Sequence, residues 1–381
     1  MNTNALNQSF AKYGKLSLFL AWTATTLIYL KLFGIFTNLE AVKYINEAHR
    51  FLETGSFSAP RFWFYSITIF ILAIAFKLKI GITGAFILQS LLNLFAYHIF
   101  FNALTRLFKN SITPLCIVLY LLLFSPYQSW VVFLYSESAF FSLILILFSI
   151  LVLYKPDTKK NLLLIGVVLV LVILARPLGI LFAGSTYLYL FYLASHKWKK
   201  VLGFASLALL AAAYYSINII FSTIPDWHIT QAFEQESIIC NLPATPPYAT
   251  LNLTTTGSPV FQLWYYLSHN FAHFLHFSGV KLKYFFLMAR PYYSKGHNYF
   301  LLVNTTIIYF FMIAGLFLKH LKFERSAVVF ATGTTLLYTI TIIFQCDDYH
   351  NRFVLSIYPL FVVLSARTIE YVLLRFFKHY K

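Results

Sequence analysis

An acid, a phenol and a second acid recur at helical spacing in TNLEAVKYINEAHRFLETGSFSAP, residues 37–60. Glu40 opens the series, and Tyr44 and Glu47 stand one and two turns further along. Two accounts fit these residues. In the first, Glu40 complements a helix dipole and Glu47 pairs with Lys43 or Arg50, small surface effects. In the second, Glu40 stands at the mouth of a membrane-embedded cavity and takes a proton from an acceptor hydroxyl.

Other segments carry groups suited to an anion. RPYYSKGHN offers Arg290, Lys295 and His297, and a guanidinium matches phosphate with two parallel N–H donors. Ordinary snorkelling of basic side chains fits the same residues. QCDDYHNRF brings Asp347, Asp348, His350 and Arg352 together before an apolar run, as a salt-bridged helix cap or as a wall of a site. Glu137 in YSES and Arg176 in LARPLG open and close other apolar runs, as a structural pair or as pocket lining. His269, His273 and His276 stand at i, i+4 and i+7, one helical face that could ligate a metal. No carboxylate completes a metal set beside them, so interfacial packing is the simpler reading.

The elements that position these residues follow from composition. Of 381 residues, 60% are hydrophobic and 11% charged, which excludes a water-soluble fold. Apolar runs recur at the length that crosses about 30 Å of hydrocarbon, so an all-α, polytopic transmembrane helical bundle of about nine to twelve spans is expected. Spans are read near 16–36, 111–126, 138–154, 161–176, 178–195, 200–221, 299–318, 326–345 and 353–374. The stretch 61–105 holds two apolar blocks around Lys77 and Lys79, and an odd number of crossings there would put Arg106 inside. The first span reads as an uncleaved anchor.

Basic clusters at Lys12/Lys15, Lys155/Lys159/Lys160, Lys197/Lys199/Lys200, Lys319/Lys322/Arg325 and Arg375/Lys378/Lys381 place both termini in the cytoplasm. That assignment, which did not use the acids, puts nine of the twelve outside. The net charge of +17 is then a topology signal spread over short loops, not a nucleic-acid surface. The remaining expectations concern the external segments. Residues 37–60 form a surface-lying amphipathic helix with Asn38 at its N-cap, Val42, Ile45, Ala48 and Leu52 on its apolar side and Gly55 at its end. Residues 222–298 form a large external loop with interfacial helices on a single transmembrane domain, 1–381. Cys240 and Cys346 both fall outside, where a disulfide is chemically allowed.

LEAVKYINEAHRFLETGSF after the first span, then YSESAFFSLILILF, LARPLG and YHNRFVLSIYPLFVVLSA, resembles the GT-C superfamily of polytopic glycosyltransferases. The likeness is to bacterial members similar to protein O-mannosyltransferases and aminoarabinose transferases. In that family the first external loop carries an acid, usually Asp in a D-x-x-x-Y or DE-type setting, followed by A-x-x-x-x-x-G. Glu40, Tyr44, Ala48 and Gly55 fill a similar frame, with Glu in place of Asp and Ala-Pro-Arg at 59–61 in place of a proline-rich sequence.

The resemblance implies that Glu40 is the general base or orients the acceptor, and that the donor is a polyprenyl-phosphate sugar. The expected activity is inverting transfer of one sugar to a glycan, lipid or protein acceptor on the extracytoplasmic face of a bacterial inner membrane. Tyr44, Glu137, Arg176, Arg290, Lys295, His297, Asp348, His350 and Arg352 would bind substrate. Their cations could neutralise the departing phosphate without a metal, and a divalent cation is compatible with the set. The alternatives are a flippase or transporter for a lipid-linked sugar, which would need internal repeats and mid-span charges, or a non-catalytic part of an envelope polysaccharide assembly.

Overall fold

The computed structural model describes residues 3–379 apart from 111, 155, 157, 224–227, 240–249, 319, 320, 322 and 348. Asp348 and Cys240 therefore lie outside the described residues. The described residues form helices and no sheet: α1 (Thr3–Phe33), α2 (Glu40–Thr54), α3 (Ser66–Lys77), α4 (Gly81–Leu107), α5 (Ile112–Leu123), α6 (Ser125–Gln128), α7 (Ser136–Leu153), α8 (Lys159–Ala175), α9 (Gly179–Leu193) and α10 (His196–Thr223). After these come α11 (Gln231–Glu234), α12 (Pro259–His269), α13 (Phe271–Leu287), α14 (Lys295–Phe317), α15 (Arg325–Phe344) and α16 (Arg352–His379).

The chain is an all-α, multi-pass integral membrane protein. Among the described residues eight helices are long and apolar enough to cross a bilayer, or nine if the bent pair formed by α5 and Ser125–Val132 is one span. Gly179–Leu193 is a shorter apolar helix. Leu, Ile and Phe side chains on these helices remain exposed, as lipid contact permits.

Two compact units divide the chain. The first comprises 1–186, 308–334 and 355–381; the second comprises 187–307 and 335–354. In the first unit α7 is the innermost helix, with 89% of its apolar window buried. Small residues allow close approach around it: a methyl group at Gly14 would stand 2.9 Å from the Phe101 ring, which presses α1 against α4.

Contacts inside the first unit order the ends of its helices. Gln89 on α4 bonds the carbonyls of Val131 and Phe133, and Phe133 pairs with Phe36 just before Glu40. At the other end of α4, the Arg106 guanidinium reaches the Leu153 carbonyl, and Glu370 accepts from the Asn110 amide at 2.8 Å. α4 therefore runs from the Glu40 end of the unit to the opposite end.

α3 does not. Pro60–Lys77 has the hydropathy of a span, but α3 itself, 12 residues, is only about 18 Å long. The Ser66 hydroxyl that opens it lies 3.5 Å from the Leu174 carbonyl, two residues before Arg176. Its last turn stacks Phe76 on His49 of α2, ring centres 4.3 Å apart. α3 thus packs along α2, and with α2 lying on the membrane surface as expected from its sequence, α4 is the helix within 61–107 that crosses. Single cysteines at Lys77 and Arg106 should therefore label from opposite sides of sealed vesicles; labelling from the same side would contradict this topology.

In the second unit an apolar core of Phe233, Tyr266 and Phe277 is packed by Ile238, Leu251, Leu263, Leu267 and Phe274. Cys346 is disulfide-bonded while Cys116 is a free thiol.

Candidate functional site

The loop that begins at Gly34 places Glu40 by a short backbone bridge. The Phe36 amide donates to the Val132 carbonyl at 2.9 Å, and the Leu134 amide donates to the Phe36 carbonyl at 3.1 Å. Tyr135 adds a bond from its hydroxyl to the Asn38 carbonyl at 3.1 Å. The chain then passes through Leu39, whose φ of 55° is strained for a residue with a Cβ, and α2 starts at Glu40. No side chain caps that start, so the expected Asn38 cap does not form. Gly55 ends the helix with φ 69°, the left-handed geometry glycine takes without a Cβ penalty.

The inward face of α2 is Ala41, Tyr44, Glu47 and Ala48, while Val42 and Leu52 are exposed. Val42 and Leu52 stay off the protein, on the apolar side expected of a surface-lying helix, and the small and polar side meets the protein. Glu47 does not pair with Lys43 or Arg50. Its carboxylate is buried and accepts from the Ser58 amide at 2.9 Å and from the Ser58 hydroxyl, which folds the loop end back on the helix.

Around Tyr44 the first unit gathers the acidic segment and two distant turns. Tyr44 is 3% exposed. Burial is the main reason its phenol is held far above the usual tyrosine range, and the nearby carboxylates of Glu137 and Glu40 add to that shift. Arg176 opposes it, as does a hydrogen bond from Ser136. Glu137 and Arg176 form a buried ion pair through Oε1 and Nη1. The cause is local: Ser136 and Glu137 open α7 after an extended Tyr135, and Arg176 is the extended residue that ends α8. Glu40 is half-buried at the edge of this group. Four of the expected site residues, Glu40, Tyr44, Glu137 and Arg176, thus lie within one electrostatic neighbourhood.

The second unit builds a separate cluster. Arg290 is 1% exposed and paired with Asp347, yet its Nε and Nη1 have no hydrogen-bond partner. Asn298 brackets its backbone, accepting from the Arg290 amide at 2.9 Å and donating to the Arg290 carbonyl at 2.8 Å. Asn351 donates to the Met288 carbonyl at 2.7 Å while its Oδ1 stays unsatisfied. Met288, His350 and Asn351 all adopt positive φ, 57–59°, an accumulation of backbone strain of about 1 kcal/mol or more each. Tyr293 lies against His297, and its ring is stacked at 6.4 Å from that of His350. Lys295 is exposed at the start of α14, and Arg352 is buried at the start of α16. The bond of Asp347 to Arg290, which lies outside the QCDDYHNRF segment, is not legible in the sequence.

The three histidines do not share a helix face, because the chain breaks at Asn270 between α12 and α13. His273 instead lies between the Tyr266 hydroxyl, 2.7 Å from Nδ1, and Glu236, 2.9 Å from Nε2. Among the described residues no group of three His, Cys, Asp or Glu side chains is placed to hold a metal.

Lys281 is buried between the Phe233 and Phe277 rings at 4.6 and 4.5 Å and donates to the Ile343 carbonyl. Burial lowers its pKa to about 7. An unfolded lysine holds its proton up to about pH 10, so the unfolded state binds more protons between about pH 7 and 10 and stability rises with pH across that window. Lys281→Met should raise the apparent Tm at pH 6 by about 5 °C and abolish the rise between pH 7 and 10. A lower Tm at pH 6 would show that the ring contacts outweigh the cost of burying the ammonium.

No family model and no curated protein matches this chain. Among solved structures it is similar to ArnT from Cupriavidus metallidurans in the apo state, at 11% identity and a TM-score of 0.49. The match covers 93% of this chain and 60% of that one, so the chain spans less than two thirds of the length of this neighbour.

Proposed function

We propose that this protein is a GT-C type membrane glycosyltransferase. It moves a monosaccharide from a polyprenyl-phosphate carrier to a glycan, lipid or protein acceptor on the extracytoplasmic face of a bacterial inner membrane, with both termini cytoplasmic. The observation that carries the reading is the convergence of Glu40, Tyr44, Glu137 and Arg176 in the first unit.

In this reading Glu40 removes the proton of the acceptor hydroxyl as its oxygen attacks the anomeric carbon. The bond from that carbon to the phosphate oxygen breaks, and the anomeric centre inverts. The phosphate leaves on its lipid with both bond electrons and needs cationic donors that are already oriented. In the second unit, considered by itself, Arg290 has two buried nitrogens without partners among the described residues, which suits an anion such as phosphate. Lys295, His297 and Arg352 of the same unit are further candidates for binding an anion. Tyr44 stays a neutral phenol and acts as a hydrogen-bonding group, while the Glu137–Arg176 pair fixes the electrostatics around it.

Purified protein in liposomes, given polyprenyl-phosphate sugar labelled in the sugar together with an envelope extract, is expected to convert the donor to free polyprenyl phosphate and a labelled product. Movement of intact donor between leaflets with no product would identify a flippase. Neither change would leave a non-catalytic role.

A further inference from the structure

Beside the backbone bridge that joins the two acidic segments of the first unit lies one buried side-chain amide, that of Gln89. α5 ends at Leu123 and the chain turns through 70° into Ser125–Val132. Carbonyls past such a turn lose their helical partners in a region where water does not replace them. Those of Val131, Val132 and Phe133 are all taken up. Phe36 donates to Val132 within the backbone bridge. The Gln89 side-chain amide on α4 donates to both neighbours, to Val131 at 3.1 Å and to Phe133 at 2.8 Å. Gln89 is 1% exposed. Rings of Phe36 and Trp130 close over Phe133, with centres 4.8 and 5.3 Å away.

Phe36 lies four residues before Glu40, and Phe133 lies four before Glu137. Whatever fixes the bridge therefore fixes both carboxylates relative to each other. We infer that Gln89 is a positioning residue: it holds the chain after this turn in register with the chain entering α2 and thereby sets the places of Glu40 and Glu137. This rests on the role proposed above for Glu40. The hydrogen bonds of Gln89 go to backbone carbonyls, and it takes no part in the chemistry.

Gln89→Met keeps the volume and removes both donors. Hydrogen exchange of peptides covering 34–38 and 131–137 reads the bridge without reference to activity, and the Phe36 and Leu134 amides are expected to exchange about tenfold faster. With wild-type donor and acceptor, kcat is expected to fall about tenfold or more while KM stays within about twofold, the split expected when catalytic groups are displaced and binding groups are not. Gln89→Asn, a shorter amide, should fall between, and it carries the test if Gln89→Met does not yield folded protein. Unchanged exchange in the variants overturns the inference, and so does faster exchange with an unchanged kcat. Failure of the wild-type protein to transfer sugar would count against the reaction proposed above, and the exchange measurement would still decide whether Gln89 holds the bridge.

Discussion

Glu40→Gln is expected to fold, insert and bind the lipid-linked donor as the wild-type protein does, and to transfer sugar about a hundredfold or more slowly. General base catalysis contributes roughly 10²–10⁴ in rate, and the amide keeps the size of the carboxylate while losing its basicity. If Glu40 only complements the dipole of α2, the same variant loses at most about 1 kcal/mol of stability and no rate. Glu40→Asp separates the accounts further. Aspartate keeps the carboxylate but withdraws it by one methylene and should keep about a tenth of the activity. Single-turnover rates beside donor-binding curves for the three proteins check this.

The second large effect is on stability. Glu137 is fully buried and pairs with Arg176 at the end of α8. Glu137→Leu leaves a buried guanidinium without that carboxylate, which should cost about 3–5 kcal/mol, read as a fall in the apparent Tm and in the yield of monodisperse protein. Replacing both, Glu137→Leu with Arg176→Leu, removes the uncompensated charge and should recover most of that loss. Transfer should not recover, because the field around Tyr44 has been removed with the pair. Full activity in the double variant would make the pair purely structural.

The parts of this architecture legible in the sequence are those that lipid enforces. Apolar runs of about 20 residues point to helices, which satisfy their own backbone inside a bilayer, and α1, α7, α14, α15 and α16 lie close to the runs that indicate them. The end of α2 was legible at Gly55, and so was the apolar side that carries Val42 and Leu52. In water an apolar stripe marks the protein-facing side, but at a membrane boundary lipid takes Val42 and Leu52, and Ala41, Tyr44 and Ala48 turn inward. Hydropathy could not tell α3, which packs along α2, from a crossing helix.

The site was legible as residue types and partly as partners. Glu137 and Arg176 stood out because a charge at a span boundary needs a counterpart. Arg290 stood out as a cation, whereas its bond to Asp347 depends on backbone turns at Met288 and His350 that no residue type announces. Gln89, Asn93 and Gln128 escaped notice although each is an amide within an apolar run. Together with Trp22 and Tyr97, Asn93 and Gln128 form a buried hydrogen-bonded network. Intramembrane amides at a spacing of four on α4 were the available signal, since each must find a partner where water is absent.

The most direct measurement of the central claim uses sealed vesicles of defined orientation, loaded with polyprenyl-phosphate sugar and given a membrane-impermeant acceptor from outside. The account predicts labelled product from right-side-out vesicles carrying the wild-type protein, none from inverted vesicles, and a loss of about a hundredfold in right-side-out vesicles carrying Glu40→Gln. Equal product from Glu40→Gln, or product from inverted vesicles alone, would contradict it.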